Sequence, residues 1–479
     1  MVWSAKDANY KMDKQLEDDL LNLDSLLEKV KLQGLDYLQK ISERKTSARV
    51  IKFGATKLNE IGLGGLNTLA LFNEKFENII VGSTGPRYLG YVIGGATPAS
   101  IMGDWLVTIY DQNPQTINSQ GDISVIIEKE TIKLLLDLFK LPNDFLGGFV
   151  SGATMSNFTC LAVARQWIGN ELGKDFAKNG ISGKIKILSA VPHSCILKSL
   201  SMLGIGSNNF DKVKSARGNR EALDLEDLKF KIEQLNGQPF ILVSNAGTVN
   251  TADFDDFKEI AKLKKKYNFW WHIDGAFGAF AACSPKFMHL IEGWETADSI
   301  TIDCHKWLNV PYESAVFLIK EKFKKLQMET FQNSNAPYLG DPVEDFNYLN
   351  FLPENSRRLK ALPAWFTLMA YGKKGYQDLV ENSVEMARLL GDFIETSDEF
   401  ELLAPVRLNN ICFTIKGEKS MNEVSRFLTA LNDSGKVYMT PTLFNKRQGI
   451  RASFVNWRTK SSDVELCIAE MKKILNKRI

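Results

Sequence analysis

The sequence predicts an α/β fold built on a mostly parallel sheet, and three observations carry that prediction. Between residues 123 and 320, helical stretches alternate with short β-branched runs, the pattern that lays parallel strands beneath covering helices. The chain has 479 residues, more than one hydrophobic core serves well, so two or three packed subdomains are expected. Polar residues gather just past several predicted strands, where such sheets bind ligands.

Ahead of that region, Leu16, Leu20, Leu23, Leu26, Leu27, Val30, Leu35 and Leu38 recur at helical spacing among charges. One or two amphipathic helices are predicted over 12–45, either packed on their own subunit or clasping a partner. A glycine-rich tract follows at 62–65 and 82–95, suited to a structural turn or to a loop whose backbone approaches a ligand. Residues 123–139 read as helix, 148–150 as the end of a turn, 157–168 as helix, 184–189 as strand and 194–203 as helix. Residues 240–245 read as strand, 254–267 as helix, and 269–273, 299–302 and 315–319 as strands. The polar stretch 327–353, broken by Gly, Pro and Asn, reads as a long functional loop. Helix returns at 358–375. Helices at 376–395, 421–434 and 462–476, with strands at 412–415 and 449–454, then predict a smaller α+β unit. The expected division is a helical arm over 1–98, a large domain over 99–375 and a small domain over 376–479.

Fifty-nine basic residues against 57 acidic ones leave a net charge of +2, which gives no reason to expect a nucleic-acid or membrane-surface partner. Cys160, Cys195, Cys283, Cys304, Cys412 and Cys467 are scattered without a C-x-x-C pair. Neither a disulfide framework nor a metal site is expected, and a reducing compartment fits better. No stretch reaches the roughly 18 apolar residues of a membrane span, and the first residues lack a signal-type apolar core. A soluble, cytoplasmic protein is expected.

The chemistry gathers between Trp271 and Trp307. Asp274 follows the apolar run Trp270-Trp271-His272-Ile273, and Lys306 stands between His305 and Trp307 after Ser299-Ile300-Thr301-Ile302. A poorly solvated carboxylate needs a cationic partner, and burial of the lysine is expected to leave a neutral amine. Together they suit pyridoxal phosphate, whose pyridine nitrogen takes an acid and whose aldehyde takes an amine. Ala276 leaves room beneath a ring. Ser151-Gly152-Ala153-Thr154-Met155-Ser156-Asn157 suits a phosphate cradle at a helix start, or a plain N-cap. His193 suits a flat stack on the ring, or a satisfied core position.

Six blocks in order resemble the group II pyridoxal-phosphate decarboxylases, the family of aromatic amino acid, histidine and glutamate decarboxylases. They are 85–98, 148–157, 192–194, 246–251, 272–276 with 303–307, and Glu354-Asn355-Ser356-Arg357-Arg358; weaker similarity continues through 451–458. The resemblance implies a fold-type I architecture with a seven-stranded sheet, and a homodimer with its site at the interface. It implies Lys306 as the Schiff-base lysine, Asp274 on the ring nitrogen, His193 stacked on the ring and Ala276 below it. Ala153, Thr154, Asp303 and His305 would surround the phosphate, with Thr248 near the ring. Tyr338 matches the mobile-loop tyrosine that reaches the partner subunit's site and protonates Cα, directly or through His193 or a water, where aldehyde-forming relatives carry phenylalanine.

Tyr91, Val92, Ile93 and Trp105 match the side-chain pocket of aromatic amino acid decarboxylases, and an apolar pocket selects by burial. No arginine stands in that block to pair with a distal carboxylate. Decarboxylation of an aromatic L-amino acid (tryptophan, tyrosine, phenylalanine or a DOPA-like substrate) to its amine is therefore the expected activity. The alternatives are glutamate, aspartate or another amino acid as substrate, an aminotransferase or carbon–carbon lyase on the same cofactor, and an inactive dimeric scaffold.

Overall fold

A computed structural model of the chain describes residues 12–49, 52, 54, 55, 57–115, 123–332, 347–417 and 421–476. The main sheet has seven strands: β1 (Phe145–Val150), β2 (Lys186–Ser189), β3 (Asp211–Lys212), β4 (Phe240–Asn245), β5 (Phe269–Asp274), β6 (Ser299–Asp303) and β7 (Ala315–Lys320). Their spatial order is β1-β7-β6-β5-β4-β2-β3. Strands β6, β5, β4, β2 and β3 run parallel, while β7 is antiparallel to both of its neighbours. The sheet is mostly parallel and covered on both faces, as the alternating pattern predicts.

Strand β5 shows why the layers hold. Trp271 and Ile273 face one hydrophobic cluster and Trp270 faces the other, all at 0% exposure. Burying each such side chain contributes on the order of 2–3 kcal/mol relative to leaving it in water. Both indole N–H groups are satisfied across the sheet, Trp271 Nε1 donating to Ser244 Oγ (2.7 Å) and Trp270 Nε1 to Ser299 Oγ (2.9 Å).

A second, antiparallel sheet holds β8 (Phe400–Leu402), β9 (Asn410–Ile415), β10 (Thr440–Phe444) and β11 (Arg447–Ser453), ordered β10-β11-β9-β8. The predicted strands at 412–415 and 449–454 form here; β8 and β10 are additions. The turn joining β10 to β11 places Asn445 and Lys446 at φ 49° and 65°, the left-handed pair of a tight hairpin.

Several expectations are corrected. Residues 148–150 belong to β1 rather than to a turn, because Gly147 and Gly148 let β1 and its cover approach closely. A Cβ at Gly147 would lie 2.6 Å from the Phe317 carbonyl oxygen on β7, and one at Gly148 would meet the Phe317, Leu352 and Tyr348 side chains at 3.1–3.2 Å. Between the two glycine-rich runs lies a helix, Gly65–Lys75, that was not expected. Another helix, Pro98–Tyr110, starts from a Thr97 cap with proline at its first turn, a start signal readable from the sequence. The segment expected to be irregular over 327–353 is helical at its beginning (Lys324–Phe331). Helix 358–375 and helix 376–395 form as one run, Ala361–Thr396, broken earlier than expected at Gly372 (φ 57°, ψ −171°).

The helices Lys14–Leu21 and Leu23–Gln39 bury no side chain within the chain. Leu16, Leu20, Leu21, Leu27 and Val30 are all more than half exposed. Polar ties hold the arm to the rest of the chain, Asp19 accepting from Gly65 N (2.9 Å) and Gln33 Nε2 donating to Asn73 Oδ1 (2.8 Å). Among the described residues, no helix is long and apolar enough to cross a membrane.

Candidate active site

Three adjacent parallel strands deliver the polar groups. β4 ends in Asn245, β5 in Asp274 and β6 in Asp303. Asn245 pairs with Asp274, and Asp274 with Thr301, so the side chains leave the same edge of the sheet. A cavity of about 450 Å³ lies over that edge. Its wall includes Lys306, Asp274, His193, Ala276 and Ala153, with Tyr91 and Val92 from the glycine-rich loop.

Lys306 stands in a single helical turn, Cys304–Trp307, that begins where β6 ends. Its Nζ lies 2.9 Å from Asp303 Oδ2. Burial pushes the Lys306 pKa down, yet Asp303, with Asp274 behind it, outweighs burial and the net direction is upward. The expected neutral amine is therefore corrected: this carboxylate holds the lysine as a cation. The glycine-rich loop packs against the same turn. A Cβ at Gly94 would sit 1.9 Å from the Lys306 carbonyl oxygen, so glycine is needed there for protein to meet protein.

Asp274 is 5% exposed and held from behind. Its Oδ1 accepts from Ala276 N (3.2 Å) and its Oδ2 from Asn157 Nδ2 (3.2 Å). Asn157 Oδ1 lies 2.8 Å from His272 Nε2, and His272 Nδ1 lies 3.0 Å from Ser299 Oγ. Since the Asn157 amide nitrogen already donates to Asp274, its oxygen accepts from His272 Nε2–H, which fixes the tautomer. Burial lowers the His272 pKa to about 4, against the pull of Asp274. A neutral, fully buried histidine thus braces the carboxylate through an amide. Sequence reading missed this brace, because its members lie on β5, β6 and the helix Ala153–Glu171.

His193 caps the helix Ser194–Met202. Its Nδ1 accepts from Cys195 N (3.3 Å) and lies 2.8 Å from Cys195 Sγ, leaving Nε2 to carry the proton. Burial lowers its pKa, opposed by Asp274. The ring is a neutral, flat wall with one N–H to give.

The helix Ala153–Glu171 opens at Gly152, and a helix start presents unpaired N–H groups to an anion. A Cβ at Gly152 would lie 3.5 Å from His305 Cε1 and 4.0 Å from Asp303 Oδ1. Thr154, Asp303 and His305 therefore gather near that start. None of the three lines the cavity itself, and the His305 ring stacks on Tyr312 at 4.2 Å.

Other sequence-selected residues go elsewhere. The Thr248 hydroxyl donates to buried Glu221 (2.6 Å), and Val249 takes the place on the wall. Ile93 and Trp105 do not line the cavity; Trp105 packs by Gly34 of the N-terminal arm, about 4.0 Å from a Cβ built there. Tyr338 lies outside the described residues. Arg451 of β11 joins the wall unannounced. It is 9% exposed, with Nη1 donating to Val249 O (3.0 Å) and Nε without a hydrogen-bond partner among the described residues.

Arg357 lies behind β1. It makes a two-pronged pair with Glu128 (2.9 Å on each arm) and donates to the Phe149 and Pro114 carbonyls. The segment after residue 346 is thereby pinned to the sheet.

These residues fit pyridoxal phosphate: a lysine amine and a carboxylate face one cavity, a flat imidazole lines it, and a helix start adjoins it. Fold and site define a fold-type I pyridoxal-phosphate enzyme. The tryptophan decarboxylase of Catharanthus roseus, solved in complex with L-tryptophan, superposes with a TM-score of 0.84 at 20% identity, over 96% of this chain and 98% of that one. An aromatic-L-amino-acid decarboxylase of Bacillus atrophaeus is 26% identical over 418 residues, covering 85% of this chain and 84% of the relative. A phenylacetaldehyde synthase of a Rosa hybrid cultivar is 26% identical over 380 residues, covering 74% and 73%. Residues 73–416 match the pyridoxal-dependent decarboxylase conserved domain, and the chain belongs to that family. It is a pyridoxal-phosphate-dependent amino acid decarboxylase, a carboxy-lyase.

Proposed function

We propose that the chain decarboxylates an aromatic L-amino acid to its amine, as a homodimer. The observation that carries this reading is the apolar wall of Tyr91, Val92, Val249 and Phe277 beside Lys306, which suits an aromatic side chain by burial. Relatives that act on aromatic amino acids, such as the one from Bacillus atrophaeus, support it.

Lys306 would hold the cofactor covalently, Asp274 would take the ring nitrogen, and Ala276 and His193 would flank the ring. The start of the helix at Ala153 and Thr154 would take the phosphate, with Asp303 and His305 nearby. Bound there, pyridoxal phosphate supplies an electron sink for the pair left on Cα when carbon dioxide departs. The His193 Nε2–H orients the substrate carboxylate. Tyr338 would give the proton to Cα, directly or through His193 or a water. The uncovered apolar arm over residues 14–39 supports the dimer, since a stripe with no core of its own is stabilised by burial against a second copy.

One observation favours a second reading. The Nε of Arg451 is buried without a partner in the same wall, and an arginine so placed pairs with a distal carboxylate. Glutamate or aspartate is then the substrate.

Carbon dioxide release from tryptophan, tyrosine, phenylalanine, DOPA, glutamate and aspartate separates the two, measured on the native protein and on Arg451→Met. The aromatic reading expects an aromatic substrate to lead, with Arg451→Met leaving its kcat/KM within about tenfold. An acidic substrate that leads and is lost in Arg451→Met overturns it.

A further inference from the structure

We propose that the Asn245 carboxamide donates a hydrogen bond to the phenolate oxygen on the ring of bound pyridoxal phosphate. Asn245 ends β4, lines the cavity and is 3% exposed. Its Nδ2 is buried with no hydrogen-bond partner among the described residues. The backbone around it is already committed, Asn245 N donating to Asp255 Oδ2 (2.7 Å) and Ala246 N to the Asp274 carbonyl (2.9 Å). A buried amide donor left unpaired carries a full desolvation cost, so an acceptor supplied by a ligand accounts for its place in the wall. A half-turn of the carboxamide presents its NH2 to the cavity without moving the backbone.

The cofactor has one acceptor left over to match. Three of its four polar handles are served by the residues assigned above: the ring nitrogen by Asp274, the aldehyde carbon by Lys306, and the phosphate by the helix start at Ala153. None of these residues' side chains is assigned to the ring oxygen, which accepts only. Phosphate arm and ring oxygen leave opposite sides of the line from nitrogen to aldehyde. The helix Ala153–Glu171 packs on β5, β6 and β7, whereas Asn245 ends β4, on the far side of Asp274. The free donor thus lies on the side where the unserved oxygen points. Thr248, whose hydroxyl is spent on Glu221 at 2.6 Å, offers no competing donor.

This inference rests on the proposed placement of the cofactor on Lys306 and Asp274. It is tested with cofactor-free protein by titrating pyridoxal phosphate and 3-deoxypyridoxal phosphate, which lacks the ring oxygen, and reading binding from tryptophan fluorescence. The native protein is expected to hold pyridoxal phosphate roughly tenfold or more tightly than the analogue, the range of a charge-assisted hydrogen bond. Asn245→Ala is expected to lose that preference while its grip on the analogue stays within about twofold. Asn245→Asp, which keeps the shape and adds a negative charge, is expected to favour the analogue, and it serves if the alanine variant does not fold. A native protein without the preference, or variants that keep it or that weaken both ligands equally, overturns the role of Asn245. Borohydride reduction followed by peptide mapping reads the placement on Lys306 separately: labelling there with an unchanged preference removes Asn245 alone.

Discussion

Lys306 and Asp303 form an ion pair of 2.9 Å beside the cavity, so the amine meant to attack an aldehyde is first a held cation. Only the neutral amine is nucleophilic. Replacing Asp303 with Asn removes the main group that raises the Lys306 pKa. Capture of pyridoxal phosphate by cofactor-free Asp303→Asn is expected to be faster at neutral pH, with its pH–rate profile displaced to lower pH. Stopped-flow absorbance on mixing measures it; an unmoved profile contradicts the pairing.

Arg357 and Glu128 form a buried pair with 7% and 0% exposure. Removing one partner leaves an uncompensated charge, so Arg357→Met is expected to cost about 3–5 kcal/mol. The double variant Arg357→Met, Glu128→Leu removes both charges and is expected to recover most of that loss. Denaturant unfolding of the cofactor-free protein measures both, and a single-variant cost below about 1 kcal/mol contradicts the pairing.

His272 is neutral in the fold, with a pKa near 4 from burial, against about 6.5 in an unfolded chain. The unfolded chain therefore takes up this proton first as pH falls, and stability is lost from about pH 6.5 down to 4. By pH 5 this amounts to about 2 kcal/mol. His272→Gln retains an amide hydrogen bond without titrating, so its stability is expected to fall less than that of the native protein between pH 7 and 5. Buried Asp255, raised to about 7 by burial, titrates in both proteins and cancels in the comparison. Equal losses contradict the buried neutral state.

Tyr338 is assigned the final proton transfer. Tyr338→Phe is expected to lower amine formation by about 10²-fold or more and, under air, to divert product to the aldehyde. Mass spectrometry of the products gives the ratio; an unchanged amine yield removes the assignment.

How much of this was legible depends on where the partners lie in the chain. Asp274 and Lys306 each follow a short strand-like run, so local pattern placed them at the right edge of the sheet, while His193 was singled out as one of four histidines. The brace from His272 through Asn157 joins separate elements, and only strand register and helix packing bring it together. Thr248 was put near the ring by resemblance alone, and its hydroxyl is instead spent on buried Glu221, which only the fold brings within reach. The Lys306 charge state was misjudged because burial was weighed without Asp303, three residues earlier. Asn245, at the end of a strand-like run, was placed at that edge by the same pattern, whereas Arg451 carried no local signal. Each matters only because the fold turns it toward the same cavity.

The most direct measurement is reduction of the cofactor-loaded protein with borohydride, followed by digestion and peptide mass mapping. The pyridoxyl mass is expected on the peptide containing Lys306, and on no other lysine. Its appearance elsewhere, or no stable attachment at all, contradicts the site built here around Lys306 and Asp274.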